Sequence, residues 1–246
     1  MDADLYDQLW RVEQEHWWFQ ARRHIVWSLV ERYLPTARER RLRVCDIGCG
    51  TGGNLFALAE RHDVTGVEQS PQALNYARRR LGDRVHPGSL PDDIDLASES
   101  FDVVLMTDVL EHVENDFRSA QTALRLLVSG GVVVATVPAN PWLYSQFDVR
   151  LHHFRRYGKR QFRALWRQPR ADIVLVSHYN TLLFPPAAAV RLASKVLPSR
   201  DATHDLDMPP RILNRLFAPI MKSEATLVGR VPLPFGLSLV AVVRKR

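Results

Sequence analysis

Arg43-Val44-Cys45-Asp46-Ile47-Gly48-Cys49-Gly50-Thr51-Gly52-Gly53-Asn54 is a short apolar strand that runs into an acid and a glycine-filled turn, with an amphipathic helix behind it. Glycine at such a turn lets the backbone bend tightly and approach a ligand closely. The first amides of the helix that follows are unpaired donors and favour a negative group. Asp46 sets a carboxylate beside the turn, which suits a ligand that carries positive charge nearby.

The same letters satisfy G-x-G-x-x-G at Gly48, Gly50 and Gly53, and an acid, Glu68, follows about twenty residues on, as in a dinucleotide fold. Electrostatics separates the two ligands. A nicotinamide dinucleotide brings an anionic pyrophosphate against Asp46, which is unfavourable. S-adenosylmethionine has no phosphate; it carries an ammonium and a sulfonium at one end and a ribose at the other. Asp46 faces the cationic end, directly or through a loop amide or water, and Glu68 accepts from the ribose hydroxyls. The methyl donor is the favoured reading. A glycine turn that holds no ligand is the bland one.

Outward from this stretch, strands and helices alternate, the pattern of a parallel sheet. The expected strands are Leu42 to Ile47, Val64 to Glu68, Arg84 to His86, Phe101 to Thr107 and Val132 to Val137. The expected helices run from Asn54 to Arg61, from Ser70-Pro71 to Leu81, and from Asn115-Asp116 to about Val128. Ser70 reads as an N-cap with Pro71 at the first helical position, and Gly82 as a stop. Ser129-Gly130-Gly131 reads as the stop of the third helix. Beyond Pro138 the alternation breaks. A basic helix, Lys159 to Trp166, a strand, Asp172 to Val176, and a proline-marked helical segment, Asn180 to Arg230, precede a last strand, Gly236 to Arg244. The prolines of that segment are Pro185-Pro186, Pro198, Pro209-Pro210 and Pro219.

The first forty residues read as helical and aromatic, ended by Pro35. Trp17, Trp18 and Phe19 in a row cannot all face one core. Either they fasten the helices to the domain, with Trp18 half exposed, or they form a lid over the active site.

Composition bounds the rest. The chain has 246 residues, 46% hydrophobic and 24% charged, as an ordinary globular protein has. The net charge of +6 comes from dispersed arginines with no nucleic-acid-binding signature, so nucleic acid is not the expected partner. The two cysteines, Cys45 and Cys49, both lie in the glycine stretch. Reduced thiols are the expectation, with no disulfide and no metal site. The acidic Met1-Asp2-Ala3-Asp4 lacks a signal pattern, and no apolar run reaches the ~20 residues of a membrane span. The expected location is cytoplasmic; peripheral contact with a membrane stays open.

Asp46 to Gly52, Gly66-Val67-Glu68-Gln69-Ser70, Ser100 to Val104, Asp108-Val109-Leu110-Glu111-His112-Val113 and Gly130-Gly131 together resemble the class I S-adenosylmethionine-dependent methyltransferases, and within them the small-molecule type 11/12 group. The likeness covers about residues 42 to 140. Trp17-Trp18-Phe19 with Arg22-Arg23, and His152-His153-Phe154-Arg155-Arg156-Tyr157, look like flanking signatures of one bacterial subgroup.

The resemblance implies an α/β, Rossmann-like single domain. Its seven-stranded sheet is mostly parallel, with helices on both faces and an antiparallel last strand inserted beside the sixth. Residues 1–40 are then an N-terminal helical lid and 41–140 the cofactor-binding core. Residues 141–180 are the substrate-side connection with strand six, 181–230 a helical insertion and 231–246 the last strand. The insertion caps the pocket, forms a dimer contact or touches a membrane.

Cofactor contacts are expected from Asp46, Gly48, Cys49, Gly50, Gly52 and Asn54, from Glu68 and Gln69, from Ser89 and Leu90, and from Thr107, Asp108 and His112. Ser89 stands where the family often has Asp. Asp108 reads alternatively as a turn residue. His112, His153 and Tyr157 are the catalytic candidates, since imidazole titrates near neutrality; loop-holding roles are the alternative. Arg155 and Arg156 bind an anionic acceptor or are solvated.

The function so implied is methyl transfer from S-adenosylmethionine to an oxygen or nitrogen, with carbon not excluded, of a small-molecule acceptor, anionic and lipid-linked acceptors and a homodimer staying open. S-adenosylhomocysteine is the product. The other readings are a non-catalytic cofactor-binding scaffold of the same fold and a nicotinamide-dependent oxidoreductase.

Overall fold

The computed structural model describes residues 3–196 and 207–246; the expectations at Met1, Asp2 and Pro198 lie outside them. In chain order the elements are α1 (Ala3–Val12), α2 (Trp17–Tyr33), β1 (Arg43–Ile47), α3 (Gly53–Leu58), β2 (Asp63–Glu68), α4 (Pro71–Leu81), β3 (Val85–Pro87), β4 (Phe101–Thr107) and α5 (Asp116–Leu126). Then follow β5 (Leu127–Pro138), α6 (Gln146–Arg150), α7 (Lys159–Leu165), β6 (Ala171–Tyr179), α8 (Phe184–Val196), α9 (Arg211–Ser223), α10 (Ala225–Val228) and β7 (Ser238–Lys245).

Among the described residues the strands form one seven-stranded sheet in the order β3-β2-β1-β4-β5-β7-β6. The pairs from β3 to β5 are parallel, and β7 runs antiparallel to both β5 and β6. Alternate side chains feed two cores, as the period of two in a strand requires. On β4, Val103 and Leu105 join Ile25 and Leu29 of α2 and Ala77 and Leu81 of α4 on one face. Val104 and Met106 join Ala123 of α5 and Phe162 and Trp166 on the other. Every residue of β4 is buried, which is why its sequence is nearly all apolar.

The local signals act where the residues put them. The Ser70 hydroxyl accepts from the Ala73 N–H, Pro71 opens α4, and Gly82 closes it at φ 61°. The Asn115 side chain caps α5 through the Arg118 N–H. One expectation fails: Ser129-Gly130-Gly131 does not separate α5 from the fifth strand. The strand begins at Leu127 and carries these residues inside it. Leu127 pairs with Phe101 and Val132 with Val103, so the ladder is irregular between them, and Gly130 supplies the positive φ of 80° that such an insertion uses. The sixth strand also runs three residues further than expected, to Tyr179.

Among the described residues no helix is long and apolar enough to cross a membrane.

Candidate active site

The carboxyl ends of β1, β2 and β4 open into a cavity of about 580 Å³, where open α/β sheets take their ligands. Gly48 turns the chain after β1 at φ 71°, and a Cβ there would come 2.7 Å from Val109 Cγ2. The bend brings the Gly48 and Cys49 amides onto the Val67 carbonyl and leaves Gly50 facing Glu68, whose Oε2 accepts from the Gly50 N–H at 2.8 Å. Oε1 of Glu68 accepts from the Ser70 N–H at 2.8 Å. Burial raises the Glu68 pKa, against the pull of these amides. Each oxygen keeps a second lone pair, and Glu68 lines the cavity with Gln69, Ser89 and Leu90.

Asp46 is fully buried beneath the turn. Its Oδ2 accepts from Asn54 Nδ2 at 3.2 Å, and the same amide donates to Thr107 Oγ1 at 2.9 Å. Its Oδ1 has no hydrogen-bond partner among the described residues. Burial pushes the Asp46 carboxyl up to about 7, with Asn54 and Arg22 opposing. A buried carboxylate with one orphaned oxygen is costly unless a cation or donor completes it. These residues fit the ammonium-bearing end of a sulfonium amino acid better than they fit a phosphate.

Gly48, Cys49, Gly50, Asn54, Thr107, Asp108 and His112 also line the cavity. Asp46 and Gly52 do not: Asp46 is sealed beneath the turn, and Gly52 lies behind, where a Cβ would meet Ala77 and Leu81 at 3.2–3.3 Å. Both cysteines are free and buried, and burial raises both thiols far above their ordinary range. Asp108 holds a left-handed backbone at φ 57°. Its Oδ1 accepts from Thr136 Oγ1 at 2.9 Å and its Oδ2 pairs with Arg22, so the carboxylate is engaged by the protein itself.

The three catalytic candidates separate. His112 and His153 meet edge to face at 4.6 Å and both line the cavity. Burial, with His153 adding to it, pushes His112 down to about 3, so its imidazole is neutral. His153 Nδ1 lies 3.0 Å from Asp148 Oδ1. Burial acts to raise Asp148, yet His153 and Arg156 hold it down to about 2. Tyr157 is the correction. It is fully buried outside the cavity, and its hydroxyl is spent on the Leu110 carbonyl at 3.0 Å and Asp116 Oδ2 at 2.9 Å, so it holds the loop. Neither neighbouring arginine is free in solvent: Arg156 is buried on Asp148 at 2.7 Å, and Arg155 pairs with Asp116 at 3.0 Å.

Several wall residues had no role in the sequence reading, and others were weighed there as a lid or a pocket cap. Glu111 lies within a motif singled out there but had no role; its carboxylate is fully buried and burial, with Asp108 adding to it, lifts it well above the carboxylate range. Tyr6 and Leu9 of α1 reach the cavity because α1 is tied to α4. Asp7 accepts from Gln72 and Tyr76, Trp10 stacks on Tyr76 at 4.9 Å, and Glu13 pairs with Arg80 and Thr51. Trp17, Trp18 and Phe19 all line the cavity, and Trp18 stacks on Tyr179 at 6.1 Å. From the insertion, Leu183, Pro186, Ala187, Val190, Arg191 and Phe217 complete the wall.

Residues 45–135 match the family described as "Methyltransferase domain". The ubiquinone biosynthesis O-methyltransferase of Psychrobacter arcticus is 33% identical over 111 residues, 42% of this chain and 43% of that one. The 2-methyl-6-phytyl-1,4-hydroquinone methyltransferase 2 of Oryza sativa is 32% identical over 112 residues, 42% of this chain and 32% of that one. The chain thus spans less than half the length of these curated relatives. Among solved structures, a methyltransferase from Thermotoga maritima, described as a possible histamine N-methyltransferase, superposes with a TM-score of 0.59 at 19% identity, covering 99% of this chain and 96% of that one. Residues 45–135 thus match a methyltransferase domain, and the chain carries the fold of the class I S-adenosylmethionine-dependent methyltransferases.

Proposed function

We propose that the protein is an S-adenosylmethionine-dependent methyltransferase whose acceptor is an apolar, aromatic-bearing small molecule methylated on oxygen. The observation that supports the reading is the orphaned, fully buried oxygen of Asp46 beneath the Gly48 turn, a turn that lines the same cavity as Glu68. The bound donor supplies an electrophilic methyl on a sulfonium. Asp46 and Asn54 hold its cationic end, Glu68 accepts from its ribose, and Ser89 and Leu90 flank its base.

The chain's remaining work is to orient the acceptor and exclude water. Trp17, Trp18, Phe19, Phe147 and Phe217 give the outer cavity an aromatic wall, which suits a flat apolar acceptor. A hydroxyl acceptor must lose its proton as the new bond forms. Glu111, His112 and His153 are the groups beside which that loss occurs. One relative is named a ubiquinone biosynthesis O-methyltransferase and another a hydroquinone methyltransferase; the first name supports an oxygen acceptor.

Calorimetric titration tests the first half. S-adenosylhomocysteine should bind saturably and NAD should not. Asp46→Asn and Glu68→Ala should each weaken the former at least about tenfold, the loss expected when a charge-assisted hydrogen bond goes. Binding of NAD with none of S-adenosylhomocysteine would falsify the reading.

A further inference from the structure

We propose that Glu111, His112 and His153 form a binding site for one divalent first-row transition-metal ion at the acceptor end of the cavity. One ligating atom from each lies within 4.8 Å of the others, and all three side chains line the cavity. Two imidazoles and one carboxylate are the donor set of transition-metal sites with open positions, rather than of magnesium or calcium sites.

A second, independent observation points the same way. Among the described residues, both carboxylate oxygens of Glu111 are buried without a hydrogen bond from any other residue. The guanidinium groups of Arg22 and Arg156 favour its charge from a distance, but neither hydrogen-bonds to it. A buried carboxylate left alone must find a cation or take up a proton.

The surroundings are those of a ligand set held from behind. His153 Nδ1 is engaged by Asp148 at 3.0 Å, which leaves Nε2 as the ligating nitrogen. Asp148 is fully buried and fixed by Arg156 Nε at 2.7 Å and by the Ser145 N–H at 2.9 Å. His112 bonds to the backbone carbonyl of His152. Such outer contacts set tautomer and ring direction for a metal-bound imidazole. Metal–nitrogen bonds of about 2.1 Å put two ligands at most about 4.2 Å apart, so loading draws the three side chains slightly inward. Neither histidine stands in a metal-binding spacing with Glu111 in the sequence, since 41 positions separate His112 from His153.

The ion leaves coordination positions open toward the cavity, where an acceptor oxygen can bind and have its pKa lowered. That role rests on the methyl-transfer reading; binding of the ion does not.

The test uses the full chain, freed of metal by a chelator, with Co²⁺ followed by its visible ligand-field bands and Zn²⁺ by calorimetry. One equivalent of Co²⁺ should bind saturably. Affinity should fall at least about tenfold in Glu111→Gln and in His153→Ala, and about 10–100-fold in Asp148→Asn. Circular dichroism verifies that each variant is folded. Wild-type protein that binds no Co²⁺, or the same Co²⁺ affinity in the folded Gln and Ala variants, overturns the proposal, and Glu111 then carries a proton. S-adenosylhomocysteine is titrated in parallel: binding of it without Co²⁺ sinks the metal site alone, and binding of Co²⁺ without it sinks the methyl-transfer reading alone.

Discussion

Arg22 of α2 and Asp108 at the end of β4, 86 positions apart, form an ion pair in the wall of the cavity. The pair joins the N-terminal helices to the loop that carries Glu111 and His112. Arg22 is buried and the Asp108 side chain is 24% exposed, so the pair is partly screened. Arg22→Leu leaves Asp108 with only Thr136. The expected loss is about 2 kcal/mol, below the cost for a wholly buried pair. Urea unfolding measures it, and the S-adenosylhomocysteine affinity should fall with it, because the β4 loop loses its tether.

The pH dependence of donor binding follows from Asp46. With its carboxyl pushed up to about 7, a cationic ligand held by Asp46 must displace a proton below that pH. S-adenosylmethionine affinity should therefore climb through the neutral range and level off above it, while Asp46→Asn should give a weak, flat profile. The stability of the ligand-free protein runs the other way. The folded-state value lies above the unfolded one, so the native chain binds more protons between the two. The contribution of this group is fully present below about pH 4 and is lost as pH rises toward 7, by at most about 1.4 kcal/mol per pH unit. Thermal unfolding of wild-type and Asp46→Asn proteins across that window decides it.

Two glycines with the same backbone sign separate strain from site. Gly48 and Gly82 sit at φ 71° and 61°, but a Cβ on Gly48 meets Val109 at 2.7 Å while one on Gly82 meets open space. Gly82, at φ 61° and ψ −135°, lies where essentially only glycine is at ease, so Gly82→Ala should cost about 1–3 kcal/mol of stability with S-adenosylhomocysteine binding intact. Gly48→Ala should add displacement of Val109 and lower that affinity at least about tenfold. Equal affinities for the two variants would show that the turn does not shape the site.

Tyr157 gives a negative control. Tyr157→Phe removes the bonds to Leu110 and Asp116 and should lower stability by about 1 kcal/mol. The affinity for S-adenosylhomocysteine should not move. A changed affinity would return Tyr157 to the site.

How much of this was legible follows the range of the signals. From Arg43 to Pro138 the strands, caps and parallel order stood in the sequence, because Ser70, Pro71, Gly82 and Asn115 act on neighbours a few residues away. Gly130 misled, since a glycine that ends a helix and one that eases an irregular strand read alike. The glycine turn and Glu68 likewise marked one end of the cavity, the end we propose takes the donor. The other end was less visible. Trp17 to Phe19 and His153 were noticed, but Asp148 and Glu111 gain meaning only from partners brought over them by the fold. Glu13, which meets Arg80 67 positions away, carries no local mark at all. Tyr157 was misread because a conspicuous aromatic hydroxyl beside histidines looks the same whether it faces a cavity or a carbonyl.

The place of β7 has a consequence for how the chain comes off the ribosome. Among the described residues β6 joins the rest of the sheet only through β7, which is wedged between it and β5. Synthesis therefore passes through almost a hundred residues after β5 during which that edge stays bare and β6 has nothing to zip onto. Such delayed, distant pairing folds slowly and exposes sticky edges. A nascent chain halted before Ser238 should be recovered as a sheet ending at β5, with the segment that follows open to protease.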